Sequence, residues 1–286
     1  MMITPDIDRT LYPFASRWFT SSAGRVHYVD EGSGRPILFC HGSPTWSFMF
    51  RRVIEALRGQ YRCIAVDHLG FGLSERPDGF GYTVASHCEV LVELIDHLDL
   101  EDLIVVGHDW GGPIGLTAAA QRRSLVSGTV LTNTALWPID AALNRAFSTV
   151  MSTSFMQRRI VDDNFLIEKV LLGRAGPVLT GAEADHYRRV QPAGARRALA
   201  VIPTEIRAAR PLLADLADTI PTLLGDVPSL AVWGMRDKVF PPRTSLPRLQ
   251  TMFTDLEVVE LSESGHLVPE ESPDALAAAI SARFEP

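Results

Sequence analysis

Cysteine is scarce in this chain, an excess of basic residues is missing, and no apolar run is long enough to cross a membrane. The three cysteines, Cys40, Cys63 and Cys88, are an odd number with neither CxxC nor metal-ligand spacing, which argues against a thiolate metal site or a dithiol redox pair. Two of them sit inside apolar runs that read as strands, so buried reduced thiols are expected. A net charge of -7 disfavours a nucleic-acid backbone as partner, because such binding rests on clustered Lys and Arg. Small neutral ligands fit better. The opening residues, MMITPDIDRTLYPFASRW, alternate charge and aromatics and hold no apolar core of the kind a signal peptide needs. No later stretch reaches the roughly 20 apolar residues of a membrane span, and a cytoplasmic protein without a membrane partner is expected. Internal repeats, low-complexity segments and long charge runs are missing too.

What is present is ordinary globular material. Hydrophobic residues make up 46% of the chain, enough for it to fold throughout. At 286 residues, one core carrying a sizeable insertion is the natural expectation. Short apolar runs at 25–29, 36–40 (PILFC), 61–66 (YRCIAV), 103–107 (LIVVG), 127–132 (SGTVLT), 229–233 (SLAVW) and 256–261 (LEVVEL) read as strands. Between them, stretches such as 48–57 and 84–98 space their apolar residues by three and four, as helices packed on a sheet do. This alternation predicts an α/β fold with a mostly parallel central sheet flanked by helices. The rhythm breaks between about Ala135 and Leu224, where no strand pattern survives and helix-forming segments follow one another. A core of 1–134 and 225–286 with a helical unit inserted at 135–224 is therefore expected. In that unit Phe147, Met151, Phe155, Met156, Phe165 and Leu166 read individually as core, although an insertion above a sheet commonly has an inner face that also meets ligand.

Chemistry concentrates in LIVVGHDWGGPIG, where an apolar strand runs into Gly107-His108-Asp109-Trp110-Gly111 and then into a helix beginning near Pro113. Small residues two before and two after the central residue allow a strained strand-to-helix turn, a nucleophile elbow, that presents its side chain at the sheet edge. The central residue is Asp109, not serine. A phosphate-binding loop is disfavoured, since GHDWGG has neither GxGxxG spacing nor a GK[ST] ending. An elbow needs a base and an orienting acid further along the chain. His266 in SESGHLVPEESP follows the last strand, and Asp237 in VWGMRDKVFPP follows the strand before it. The rival position for the acid, after the run 127–132, offers only Asn133 and Thr134. In FCHGSPTW the loop after the strand 36–40 is placed to donate the Ser43 backbone N–H to an oxyanion hole, with Trp110 as second donor. VDHLGFGLSERP, with Asp67, Gly70 and Ser74, reads as a structural strand-end turn.

A carboxylate nucleophile displaces a leaving group from a saturated carbon and forms an alkyl ester, which water activated by His266 then cleaves while Asp237 compensates the imidazolium. The set HGSPTWSF, DHLGFGLSERP, GHDWGGPIG, WGMRD and SGHLVPEESP, in this order over nearly the whole chain, closely resembles the haloalkane dehalogenases. The resemblance implies an α/β-hydrolase fold with a helical cap over an apolar pocket, no cofactor, an uncharged haloalkane as substrate, and release of alcohol, halide and a proton. It also implies that the indole N–H of Trp110 holds the halide. One residue departs from the pattern: many members with the acid in this late position have Asn directly after His-Gly, where this chain has Ser43. A hydroxyl is shorter and donates one hydrogen, so the second halide contact is expected to weaken or to move to a cap residue or a water. An epoxide hydrolase shares elbow and triad, but its cap ordinarily supplies two tyrosines and the insertion has only Tyr187. A fluoroacetate-type dehalogenase has Arg after the nucleophile, where Trp110 stands. A non-catalytic receptor on the same scaffold is expected to have lost a member of the triad. The pattern leaves subunit association open.

Overall fold

The computed structural model describes residues 5–175 and 178–286. Eight strands, β1 (Arg17–Thr20), β2 (Arg25–Glu31), β3 (Pro36–Cys40), β4 (Arg62–Val66), β5 (Leu103–Asp109), β6 (Val126–Thr134), β7 (Ser229–Gly234) and β8 (Leu256–Leu261), form one sheet in the order β1-β2-β4-β3-β5-β6-β7-β8. From β4 to β8 every pairing is parallel, and β1 and β2 run antiparallel at one edge. β3, β5 and β7 are buried almost without interruption because helices cover both faces of the sheet, which explains why these segments lack apolar–polar alternation. The sequence pattern does not mark β1 as a strand: RWFT is only four residues long and half-exposed, and it becomes a strand by pairing with β2 across the turn at 21–24.

The core helices are α1 (Arg51–Leu57), α2 (Val84–His97), α3 (Gly111–Gln121), and, after β7, α10 (Pro242–Met252), α11 (Val268–Glu271) and α12 (Pro273–Arg283). Thr83 caps α2 and shares a reciprocal capping box with Ser86, which fixes where that helix starts. Between β6 and β7 the described residues hold helices only: α4 (Ala142–Met151), α5 (Ser154–Asp163), a π-helical stretch Leu166–Leu171 running into α6 (Leu172–Ala175), α7 (Gly181–Arg189), α8 (Arg197–Ala208) and α9 (Arg210–Leu223). Cys40, Cys63 and Cys88 are free and buried, and burial pushes the thiols of Cys63 and Cys88 up to about 12. No described helix is long and apolar enough to cross a membrane.

Candidate active site

β5 delivers Asp109 to the carboxyl edge of the sheet with φ of 52°, a left-handed conformation that costs a non-glycine residue roughly 1–2 kcal/mol. The turn closes so tightly that its flanking glycines have no room for a side chain. A Cβ on Gly107 would lie 2.5 Å from the Cα of Gly112, and one on Gly111 would lie 1.9 Å from the Cys40 carbonyl oxygen. The helix α3 therefore starts at Gly111, two residues before the expected Pro113. The Thr134 hydroxyl donates to the Asp109 carbonyl at 2.6 Å and ties the strained residue to β6. The Ser43 backbone N–H, from the loop after β3, donates to Asp109 Oδ1 at 3.0 Å.

Two further loops converge on the other carboxylate oxygen. His266, past β8, sets Nε2 3.5 Å from Asp109 Oδ2 and donates through Nδ1 to Asp237 Oδ2 at 2.9 Å. Asp237, past β7, also accepts from the Val239 N–H at 2.7 Å and from Asn133 Nδ2 at 2.8 Å. Asn133, passed over as a rival acid, is thus a hydrogen-bond partner of the acid; β6 extends two residues beyond the run 127–132 and brings it there. Burial raises the cost of each charge, but the cluster compensates. Burial opposes the His266 cation, yet Asp237 first and then Asp109 lift its pKa to about 9. Burial likewise works against the Asp237 anion, and His266 nonetheless draws it down to about 2. Asp109 is held below the usual carboxylate range, against its burial, by His266, His108 and the Trp110 N–H.

Two further residues steady the His266 loop. His108 Nε2 donates to the His266 carbonyl at 2.8 Å, and burial keeps that imidazole down at about 4. Glu271 accepts from the N–H groups on both sides of His266, Gly265 at 2.5 Å and Leu267 at 2.9 Å. A carboxylate four to five residues beyond a loop histidine, in the first turn of a helix, is the one hint the sequence offered.

Asp109, Trp110, Ser43 and His266 line a cavity of about 290 Å³ whose walls are otherwise mostly apolar, among them Phe147 and Leu166 from the insertion. Of the insertion's other large side chains, Met151 is buried and Phe155 is exposed. Asp237 stands behind His266. Tyr187 is fully buried away from the cavity, where its hydroxyl donates to Glu270. Asp67 is buried too, held by His27 at 2.9 Å and by the backbone N–H groups of Ser47 and Leu73, both at 2.8 Å, outside the cavity lining. Two polar side chains of the lining, Asn144 from α4 and Lys238 beside Asp237, carry no motif in the sequence.

Strand order, elbow and inserted helices define an α/β-hydrolase, and residues 35–273 match the family described as alpha/beta hydrolase fold. The haloalkane dehalogenase 2 of Mycobacterium tuberculosis is 51% identical over 278 residues, 97% of each chain. The cis-3-alkyl-4-alkyloxetan-2-one decarboxylase of Shewanella oneidensis is 29% identical over 93% of this chain and 86% of its own. Among solved structures, haloalkane dehalogenase DbeA from Bradyrhizobium elkani superposes with a TM-score of 0.86 at 23% identity, over 94% of this chain and 97% of that one, a likeness of fold. The chain belongs to the haloalkane dehalogenase family.

Proposed function

We propose that this enzyme hydrolyses carbon–halogen bonds of small haloalkanes in the cytoplasm, through an alkyl ester on Asp109. The observation that carries the reading is the division of labour between the two oxygens of one buried carboxylate. Oδ1 is held by the Ser43 N–H, while Oδ2 lies 3.5 Å from His266 Nε2, and both residues line the apolar cavity. Oδ2 attacks the halogenated carbon, the carbon–halogen bond breaks, and the halide leaves toward the Trp110 indole and Ser43. Water then adds to the ester carbonyl carbon of Asp109. His266 takes the water proton, Asp237 balances the imidazolium, and the Ser43 and Trp110 N–H groups stabilise the oxyanion. Collapse releases the alcohol and restores Asp109; the net products are alcohol, halide and a proton. The helices of 135–224 act as the cap.

Bromide release from 1-bromobutane tests the reading, run beside diol formation from styrene oxide. Bromide is expected with the wild type and not with Asp109→Ala, and mass spectrometry should find an alkyl group trapped on Asp109 in His266→Ala. Diol without bromide would overturn the assignment in favour of epoxide hydrolysis, a reading that Tyr187, buried against Glu270, does not support. Ser43→Asn is expected to strengthen quenching of Trp fluorescence by bromide, since the amide reaches further than the hydroxyl; unchanged quenching would remove Ser43 from the halide site.

A further inference from the structure

A second hollow, open to solvent at the surface, adjoins the catalytic cavity. Its walls are Ile139, Asp140, Arg145, Ile206, Arg207 and Arg210, and Ile139 and Ile206 line the catalytic cavity as well. Arg145 comes from α4, Arg207 from the end of α8 and Arg210 from the start of α9, so three separate turns of the cap bring their guanidinium groups to one place. Asp140 is the single carboxylate of the lining, and it is already paired with Arg210. Arg145 and Arg207 have no carboxylate partner among the described residues. Three exposed cations thus meet one exposed anion around an open hollow at the mouth of the catalytic cavity, on a chain whose net charge is -7. Gathering like charges does not help the cap fold, but it raises the local concentration of anions, and the guanidinium fork matches a carboxylate.

We propose that this arginine-lined hollow binds the far end of the substrate, and that the enzyme accepts haloalkanes bearing a terminal anion, ω-haloalkanoates first among them. The inference rests on the dehalogenase reading for the reacting end. The halogenated carbon sits at Asp109 and Trp110, the methylene chain crosses between Ile139 and Ile206, and the carboxylate ends among Arg145, Arg207 and Arg210. The rival cation is Lys238, which lines the catalytic cavity itself.

The test compares KM for ω-bromoalkanoates, from 4-bromobutanoate to 10-bromodecanoate, with that for 1-bromoalkanes of equal length. At one chain length the acid should have the lower KM, and added salt should erase the difference. Arg145→Gln combined with Arg207→Gln should raise KM for that acid roughly three- to tenfold, as loss of two partly exposed ion pairs does, and leave the 1-bromoalkane unchanged. Equal effects on acid and bromoalkane, or an effect confined to Lys238→Gln, would overturn the assignment. Calorimetric binding of octanoate separates the two readings because it needs no turnover. Weaker binding in the double variant supports the anion site even if no bromoalkane is dehalogenated, and unchanged binding overturns it whatever the turnover.

Discussion

In the proposed cycle His266 must meet two opposite demands. In the free enzyme it lies between two carboxylates, and they hold its pKa near 9, so it is an imidazolium at neutral pH and pairs with the attacking anion. In the proposed mechanism esterification removes the charge of Asp109 and with it part of that stabilisation, so the pKa of His266 would fall and the imidazole could serve as the base for water. Asp109→Asn reproduces the neutral state, and an NMR titration should find the His266 pKa lower in that variant than in the wild type. An unchanged value would mean that Asp237 alone sets it. The same shift links to stability. Because the folded pKa exceeds the ordinary 6.5, the contribution of His266 is fully present below pH 6.5 and is lost as pH rises through 9.

Glu271 acts on the same histidine through the backbone. With both flanking N–H groups held by one carboxylate, the His266 loop has little freedom, and positioning of this kind governs how well a base reaches water. Glu271→Ala is expected to lower kcat about tenfold and to let the alkyl ester accumulate in the steady state, with Glu271→Gln intermediate because an amide offers one accepting atom. A loss of kcat without ester would show that the clamp serves alkylation or folding instead. Asp109, Trp110, Ser43, Asp237 and His266 were legible because turn chemistry and chain order surround them with recognisable neighbours. Glu271, His108 and Asn133 were not, since their partners are backbone groups or side chains tens of residues away.

A buried tie joins the inserted helices to the core. Arg51 of α1 donates to Glu183 of α7 and to Glu270 of α11, both at 2.6 Å, and Tyr187 of α7 donates to Glu270 as well. All three ionic side chains are at most 5% exposed. Glu183 keeps Arg52, but removing Arg51 leaves the buried Glu270 without its cation, so Arg51→Met is expected to destabilise the fold by roughly 3 kcal/mol in urea unfolding. Adding Glu183→Gln and Glu270→Gln should recover much of that loss. The exposed pair Arg122–Asp96 is the control, where Arg122→Ala should change stability by about 1 kcal/mol or less. At this scale the parallel strands were readable because a sheet covered on both faces demands continuous apolar runs. The exposed edge strand β1 was not, because its definition lies in its partner.

Over the whole molecule, the histidines set the response to acid. His41, His68 and His87 pack in sequence with tilted rings, their centres 4.5 and 5.3 Å apart, and all are buried. Burial lowers each pKa, to about 3 for His87, which makes no hydrogen bond through either ring nitrogen among the described residues. A folded pKa below that of the unfolded chain means that the unfolded state takes up protons first. Below pH 6.5 each such histidine therefore removes up to about 1.4 kcal/mol of stability per pH unit, until its folded pKa is reached. Urea unfolding should show stability falling as pH drops from 6.5 to 5. His87→Phe, which keeps ring contacts with His68 and Phe80, should flatten that slope by about one proton. A slope unchanged in His87→Phe would place the acid response elsewhere.

The sequence alone determined the α/β class, seven of the eight strands and the helical stretch between β6 and β7, the elbow and its aspartate, because these follow from local periodicity, turn sterics and chain order. Only the tertiary structure decided which side chains of the insertion face the cavity, that Tyr187 points into a buried ionic tie, that one carboxylate brackets His266, and that three arginines from different turns share a hollow beside the catalytic cavity. Those facts depend on how helices rotate and pack against a sheet whose edges are distant in sequence. That geometry is set by the sum of many weak contacts and leaves no local pattern to read.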